Sequence, residues 1–177
     1  TAKKRFIREA QAASSLQHNN ICTIHEIDET EDGQFFISMD FYEGETLKNK
    51  IKREPLSLDE IIKITTQIAE GLNKAHENGI IHRDIKAANI FITKEGIVKI
   101  LDFGLAKKAD RSQFTTMGVN LGTTDYMSPE QIKGEKVDHR TDIWSLGIIL
   151  YEMLSGRHPF QAEYDQAIVY LILNQDP

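Results

Sequence analysis

Apolar residues at Phe6, Ala10, Ala13 and Leu16 share one helical face and predict a helix over 3–17, stopped by His18-Asn19-Asn20. Two strands, 21–27 and 34–40, follow, joined by the polar turn Asp28-Glu29-Thr30-Glu31-Asp32-Gly33. Glu43-Gly44-Glu45 breaks the pattern, and a short helix is expected over 46–52. Ser57 and Glu60 have the spacing of a capping box. The long helix they open carries Ile61, Ile64, Ile68, Leu72 and Ala75 on one face and closes at Asn78-Gly79. Two short strands, 90–93 and 97–101, flank the turn Lys94-Glu95-Gly96. From 102 to 121 no period is sustained, which is long for a loop inside a compact domain. Ser128-Pro129-Glu130 has the form of a helix start. The most apolar helix, expected to be buried, covers 141–154 and ends at Ser155-Gly156, and a last helix covers 164–173.

Composition narrows the class. With 177 residues, 40% apolar and 27% charged, the chain suits one folded domain or somewhat more, and not a disordered or fibrous one. Asp and Glu outnumber Lys and Arg by 27 to 21, which argues against general nucleic-acid or anionic-membrane binding. The single cysteine, Cys22, excludes an internal disulfide, suits a reducing, cytoplasmic compartment, and is expected to be an inert core thiol. No secretory leader opens the chain, and the apolar stretch 143–151 is too short to span a bilayer. The histidines show no zinc spacing. A start inside a helical pattern and an end on Asp176-Pro177 read as an excised piece.

Candidate chemistry concentrates in His82-Arg83-Asp84-Ile85-Lys86-Ala87-Ala88-Asn89, followed after a predicted hairpin by Asp102-Phe103-Gly104. Phosphoryl transfer needs a carboxylate to orient the attacking hydroxyl, oxygen ligands for Mg²⁺, and a cation on the transferring group. Asp84, Lys86 and Asn89 supply these from one loop, and Asp102 returns a second carboxylate from the far end of the hairpin. Five fixed residues at that spacing arise by chance in roughly one chain of this length in twenty thousand.

These motifs resemble the protein-kinase family. Ser128-Pro129-Glu130 stands where the family usually has Ala-Pro-Glu, and the stretch from Asp138 to Gly147 looks like its central helix. The run from Tyr126 to Gln131 is similar to bacterial, eukaryotic-like Ser/Thr kinases. The resemblance implies an α+β, two-lobed fold: 1–42 as a truncated remnant of the small lobe, 43–177 as a mostly helical large lobe, incomplete at its end. It implies Asp84 as catalytic base, Lys86 on the γ-phosphate, and Asn89 with Asp102 on Mg²⁺. Met39 would stand at the back of the adenine pocket, the backbone of Asp40 and Tyr42 would bond the adenine edge, and Phe91 would be its floor. Glu9 matches the helix glutamate that pairs with an ATP-anchoring lysine. Ala13, Ile24, His82 and Phe103 would stack into an internal column tethered by Asp142. Asp142, polar within an apolar helix, should find a buried partner in the His82-Arg83 turn. Lys86, with Gly122-Thr123 ahead of Tyr126, points to the Ser/Thr branch. Arg83 suggests activation by a phosphate on Thr115 or Thr116, with Ser112 behind them. ATP, Mg²⁺ and proteins bearing Ser or Thr are the implied cofactors and substrates. The oligomeric state stays open.

The chain departs from the family in having no Gly-x-Gly-x-x-Gly and no Val-Ala-Ile-Lys-like strand ahead of Glu9. A pseudokinase scaffold is therefore the alternative, opposed by the intact Asp84, Asn89 and Asp102. A small-molecule kinase of related fold is more distant, since such enzymes resemble Asp-x-Asp where this chain has Asp-Phe-Gly. The 177 residues alone are expected to bind ATP more weakly than millimolar and to expose apolar strand edge. Calorimetric titration with Mg·ATP tests the first expectation: millimolar or tighter affinity would overturn it. A cooperative, monomeric melt would overturn the second.

Overall fold

The computed structural model describes residues 16–103 and 124–176. The helix expected over 3–17, with Glu9 and Ala13, lies almost wholly outside them, as do Gly104, Ser112, Thr115, Thr116 and Thr123.

Two small antiparallel sheets come first. Strand β1 (Ile24–Glu29) pairs with β2 (Phe35–Met39), with Ile27 opposite Ile37 and an irregularity between Ile24 and Glu26. Strand β3 (Gly44–Thr46) pairs with β4 (Ile90–Thr93), which pairs with β5 (Val98–Ile100). The strand expected over 21–27 begins later, because the segment before it is committed elsewhere. The Cys22 N–H donates to the Ile100 carbonyl (3.0 Å) and the Ile100 N–H to the Asn20 carbonyl (2.9 Å), so this segment runs parallel to β5. Cys22 is buried there outside any strand, and burial pushes its thiol up to about 11, an unreactive state.

At the expected break Glu43-Gly44-Glu45, Gly44 and Glu45 instead belong to β3. Gly44 lies opposite Thr93 so closely that a Cβ would stand 2.0 Å from the Ile92 carbonyl oxygen. Only glycine fits, and the residue that looked like punctuation is a strand position.

Helix α1 (Leu47–Arg53) starts at the Thr46 cap, whose hydroxyl accepts from the Asn49 N–H. Helix α2 (Leu58–Glu77) starts at the expected capping box, and hydrogen bonds from Ser57 hold the Glu60 carboxyl down at about 2. Its buried face is Ile61, Ile64, Ile68, Leu72 and Ala75, joined by Gly71. A Cβ at Gly71 would meet the Ile100 side chain at 2.8 Å and the Asn20 carbonyl at 3.1 Å, so the missing side chain lets α2 lie against the β5 layer.

Helix α3 (Pro129–Ile132) is one turn long, capped by Ser128. Helix α4 (Arg140–Ser155) ends at Gly156, in the left-handed region at φ 70°. It is less enclosed than its apolar sequence suggests: Ile143 is 56% and Leu154 58% exposed, while the polar Thr141, Asp142 and Ser145 face the interior. Helix α5 (Asp165–Asn174) packs Ile168 and Ile172 with Ile148 and Phe160. The main core joins α2, β4, β5, the loop after α2, and Ile149 and Met153 of α4. Among the described residues no helix is long and apolar enough to cross a membrane.

Ile68 is wholly buried and Ile62, on the same helix, is 54% exposed. Ile68→Ala should cost about 2–5 kcal/mol of stability. Ile62→Ala should stay within about 0.5 kcal/mol of the parent. Urea unfolding of both variants checks the assigned face.

Candidate active site

The loop from Ile80 to Asn89 is held from below by one carboxylate. Asp142, in the first turn of α4 and wholly buried, accepts from the His82 N–H at Oδ2 (2.9 Å) and from the Arg83 N–H at Oδ1 (2.8 Å). This is the partner expected for it. A third donor, Nε2 of His76 in the last turn of α2, lies 2.7 Å from Oδ2. His76 gave no signal in sequence, since it lies 66 residues from its partner and reads as an ordinary helix-end cation. A buried carboxylate is tolerable because several donors replace its water.

His82 is wholly buried. Its Nδ1 accepts from the Asp84 N–H (3.2 Å), and its Nε2 donates to the Leu101 carbonyl (2.9 Å), so the neutral ring satisfies both contacts. The ring lies 4.7 Å from that of Phe103. Burial pushes the imidazole below its ordinary pKa of 6.5. It is a packed structural histidine, and Ile24 packs against the same core.

Asp84, Lys86 and Asn89 come together as their spacing implied. Lys86 Nζ lies 3.0 Å from Asp84 Oδ2. The Asn89 amide nitrogen donates to the Asp84 carbonyl (2.9 Å) and to Asp84 Oδ2 (3.2 Å). A 3₁₀ turn at Ala87–Asn89, not foreseen, brings Asn89 round to do this. The Leu101 N–H donates to the Asn89 carbonyl (2.9 Å), which sets Asp102 beside the loop. Asp102 is exposed. Arg83 (φ 67°) and Asp102 (φ 53°) are the non-glycine residues at positive φ among those described. Such backbone costs of order 1–3 kcal/mol and persists only where surroundings over-determine it.

Of the adenine candidates, Met39, Asp40 and Tyr42 lie at or just past the end of β2, and Phe91 lies on β4. Met39 is the last strand residue, 37% exposed. The Asp40 N–H is spent on the Thr23 carbonyl (3.0 Å), so its backbone offers the carbonyl. The Asp40 carboxylate takes His25 Nε2 (2.6 Å) and the Tyr42 hydroxyl (3.0 Å), bonds that hold it below the usual carboxylate range. Phe91 lies opposite both Thr46 and Lys99, so the three side chains share one face of the second sheet. Lys99 also reaches over the Tyr42 ring, 4.8 Å from its centre.

Beyond the second undescribed stretch, the chain is fastened to α4. Ser145 Oγ donates to the Tyr126 carbonyl (2.8 Å), and the Tyr126 hydroxyl donates to Glu152 (2.6 Å). The Gln131 amide nitrogen donates to the Arg83 carbonyl (2.9 Å). Lys99 and Glu152 carry no motif in the sequence, and the Ser128-x-x-Gln131 spacing of a capping box gives no sign of the distant Arg83 carbonyl.

The neutral state of His82 implies a pH dependence. Its folded-state pKa lies below 6.5, so on acidification the unfolded chain takes up this proton first. The stability it contributes is present above about pH 6.5 and is lost as pH falls below that value. Urea unfolding at pH 7.5, 6.5 and 5.5 should give a shallower acid loss for His82→Phe than for the parent; equal slopes would refute the assignment.

Comparison with known proteins agrees with this geometry. Residues 1–176 match the protein kinase domain. A probable serine/threonine-protein kinase of Clostridium acetobutylicum is 45% identical over 161 residues, covering 90% of this chain and 24% of that protein. The serine/threonine-protein kinase PrkC of Bacillus subtilis is 44% identical, covering 90% of this chain and 25% of the relative. The serine/threonine-protein kinase PknB of Mycobacterium leprae is 39% identical over 178 residues, covering 98% and 29%. The chain thus spans about a quarter to a third of these relatives. A domain match over residues 1–176, with the Asp84, Lys86 and Asn89 side chains brought together on one loop, makes this chain a member of the protein kinase family, of α+β fold.

Proposed function

We propose that the chain is the catalytic part of a protein serine/threonine kinase that moves the γ-phosphate of ATP to Ser or Thr hydroxyls of proteins. The observation that carries this is the Asp84 carboxylate held at one oxygen by both Lys86 Nζ and the Asn89 amide, on a loop pinned by Asp142. Asp84 orients the acceptor hydroxyl and takes its proton at a carboxylate oxygen. Lys86, beside it, neutralises charge on the transferring phosphoryl oxygens.

The donor set suits Mg²⁺. Asn89 donates both hydrogens of its amide nitrogen to Asp84, which leaves Oδ1 as the ligand atom, and Asp102 adds an exposed carboxylate. Both are hard oxygen donors. When bound, the cation would neutralise phosphate charge; these two residues would hold it. Met39, the Asp40 carbonyl, the Tyr42 backbone and the face of Phe91 would bind the base, and Glu9 would pair with an ATP-anchoring lysine that these 177 residues do not contain. Arg83 would receive a phosphate on Thr115 or Thr116, and Thr123 would belong to the same regulatory segment. Residues 1–42 would belong to the small lobe and 43–177 to the large one. A cytoplasmic site is favoured by the single buried, unreactive Cys22.

The test is transfer of labelled γ-phosphate to casein by the protein expressed from its complete reading frame. Asp84→Asn should lower kcat by about 10²–10⁴-fold and leave the melting temperature nearly unchanged. Label should appear on serine or threonine. No transfer by a folded protein, even with Thr115→Glu and Thr116→Glu, would overturn the reading and favour a scaffold.

A further inference from the structure

Gln131 is the third residue of α3 and closes a capping box with Ser128. Its N–H donates to Ser128 Oγ (3.4 Å), and its Oε1 accepts from the Ser128 N–H (3.0 Å). Either Gln or Glu could close that box, and a carboxylate would suit a helix N-terminus better. Only the amide has a donor on its other arm. That arm, Nε2, bonds the carbonyl of Arg83, 48 residues earlier and 2.9 Å away.

Arg83 is thereby held on both sides of its left-handed backbone, its N–H by Asp142 (2.8 Å) and its carbonyl by Gln131. The contacts close a ring. Asp142 bonds Arg83, Arg83 bonds Gln131, Gln131 bonds Ser128, and the Ser128 hydroxyl is hydrogen-bonded to that of Thr141, the neighbour of Asp142 on α4. Ser128, Thr141 and Asp142 are all wholly buried. Residues joined in such a ring cannot shift singly. The carbonyl that Gln131 grips is that of the peptide whose N–H belongs to Asp84, and that N–H is itself bonded to His82.

We propose that Gln131 is a positioning residue for phosphoryl transfer: through the Arg83 carbonyl it sets the peptide plane that leads into Asp84. The Ser128-Pro129-Glu130 turn and the loop bearing Asp84 then move as one body. The proposal rests on the kinase reading of Asp84 given above.

Gln131→Glu separates positioning from folding. It retains an acceptor for the Ser128 N–H and the cap of α3, but it removes the donor and sets a carboxylate against the Arg83 carbonyl. Gln131→Met removes both contacts. In the protein from its complete reading frame, Q131E should lower kcat about tenfold or more, with KM for ATP within twofold and the melting temperature close to the parent's. Q131M should lose melting temperature as well. Amide hydrogen exchange at Arg83 and Asp84, read without turnover, should quicken in Q131E. An unchanged kcat in Q131E, or a melting loss in Q131E equal to that of Q131M, would overturn the proposal. A parent that transfers no phosphate would refute the kinase reading; unaltered exchange at Arg83 and Asp84 in Q131E would then refute the tie by itself, and quickened exchange would uphold it.

Discussion

A carboxylate with no access to water organises this molecule. Asp142 stands in the first turn of α4, beside the buried Thr141, and accepts from His76, His82 and Arg83. Removing a charge from water is costly unless donors replace the solvent. Two of the three donors are backbone groups of the loop that carries Asp84, so satisfying the charge and shaping the loop are one event. The third brings in the end of α2, which is why helix, loop and α4 meet at one point.

The same economy runs through the loop. His82 fills the space beneath it and gives one ring nitrogen to each neighbouring strand of chain, toward Asp84 and toward Leu101. Leu101 is in turn bonded to Asn89, and Asn89 to Asp84. Left-handed backbone at Arg83 and at Asp102 marks the two places where the chain must turn more sharply than its side chains prefer. These turns place the Asp84 carboxylate and the Asp102 carboxylate on adjoining pieces of chain. The rigidity proposed for transfer therefore comes from shared hydrogen bonds as much as from apolar packing.

Much of the fold was legible because it rests on local rules. The buried face of α2 follows the helical period, its start follows the Ser57–Glu60 reciprocity, and the β4–β5 hairpin follows its turn residues. Where local rules failed, a distant partner had intervened. Ile21 and Cys22 left their expected strand to lie along β5, and Gly44 entered a strand because β4 lies too close for any side chain. Helix α4 is expected from its apolar sequence to be buried, yet its interior face carries Thr141, Asp142 and Ser145 while Ile143 faces outward. Apolar content alone does not say which side of a helix is turned inward.

By itself the sequence determined the candidate residues and the family they resemble: an Asp-x-Lys-x-x-Asn run and an Asp-Phe-Gly after a hairpin are features of residue type and spacing, which travel with the chain. It also determined the partner of Asp142 in kind, since a buried carboxylate must find donors. The tertiary structure alone decided which further residues complete the set. His76 and Gln131 lie 66 and 48 residues from the groups they bond, and Lys99 of β5 meets Tyr42, in the link between β2 and β3, only on folding. A single His, Gln or Lys has no periodic signature, because hydrogen bonds act over about 3 Å and are indifferent to how far apart along the chain their partners began.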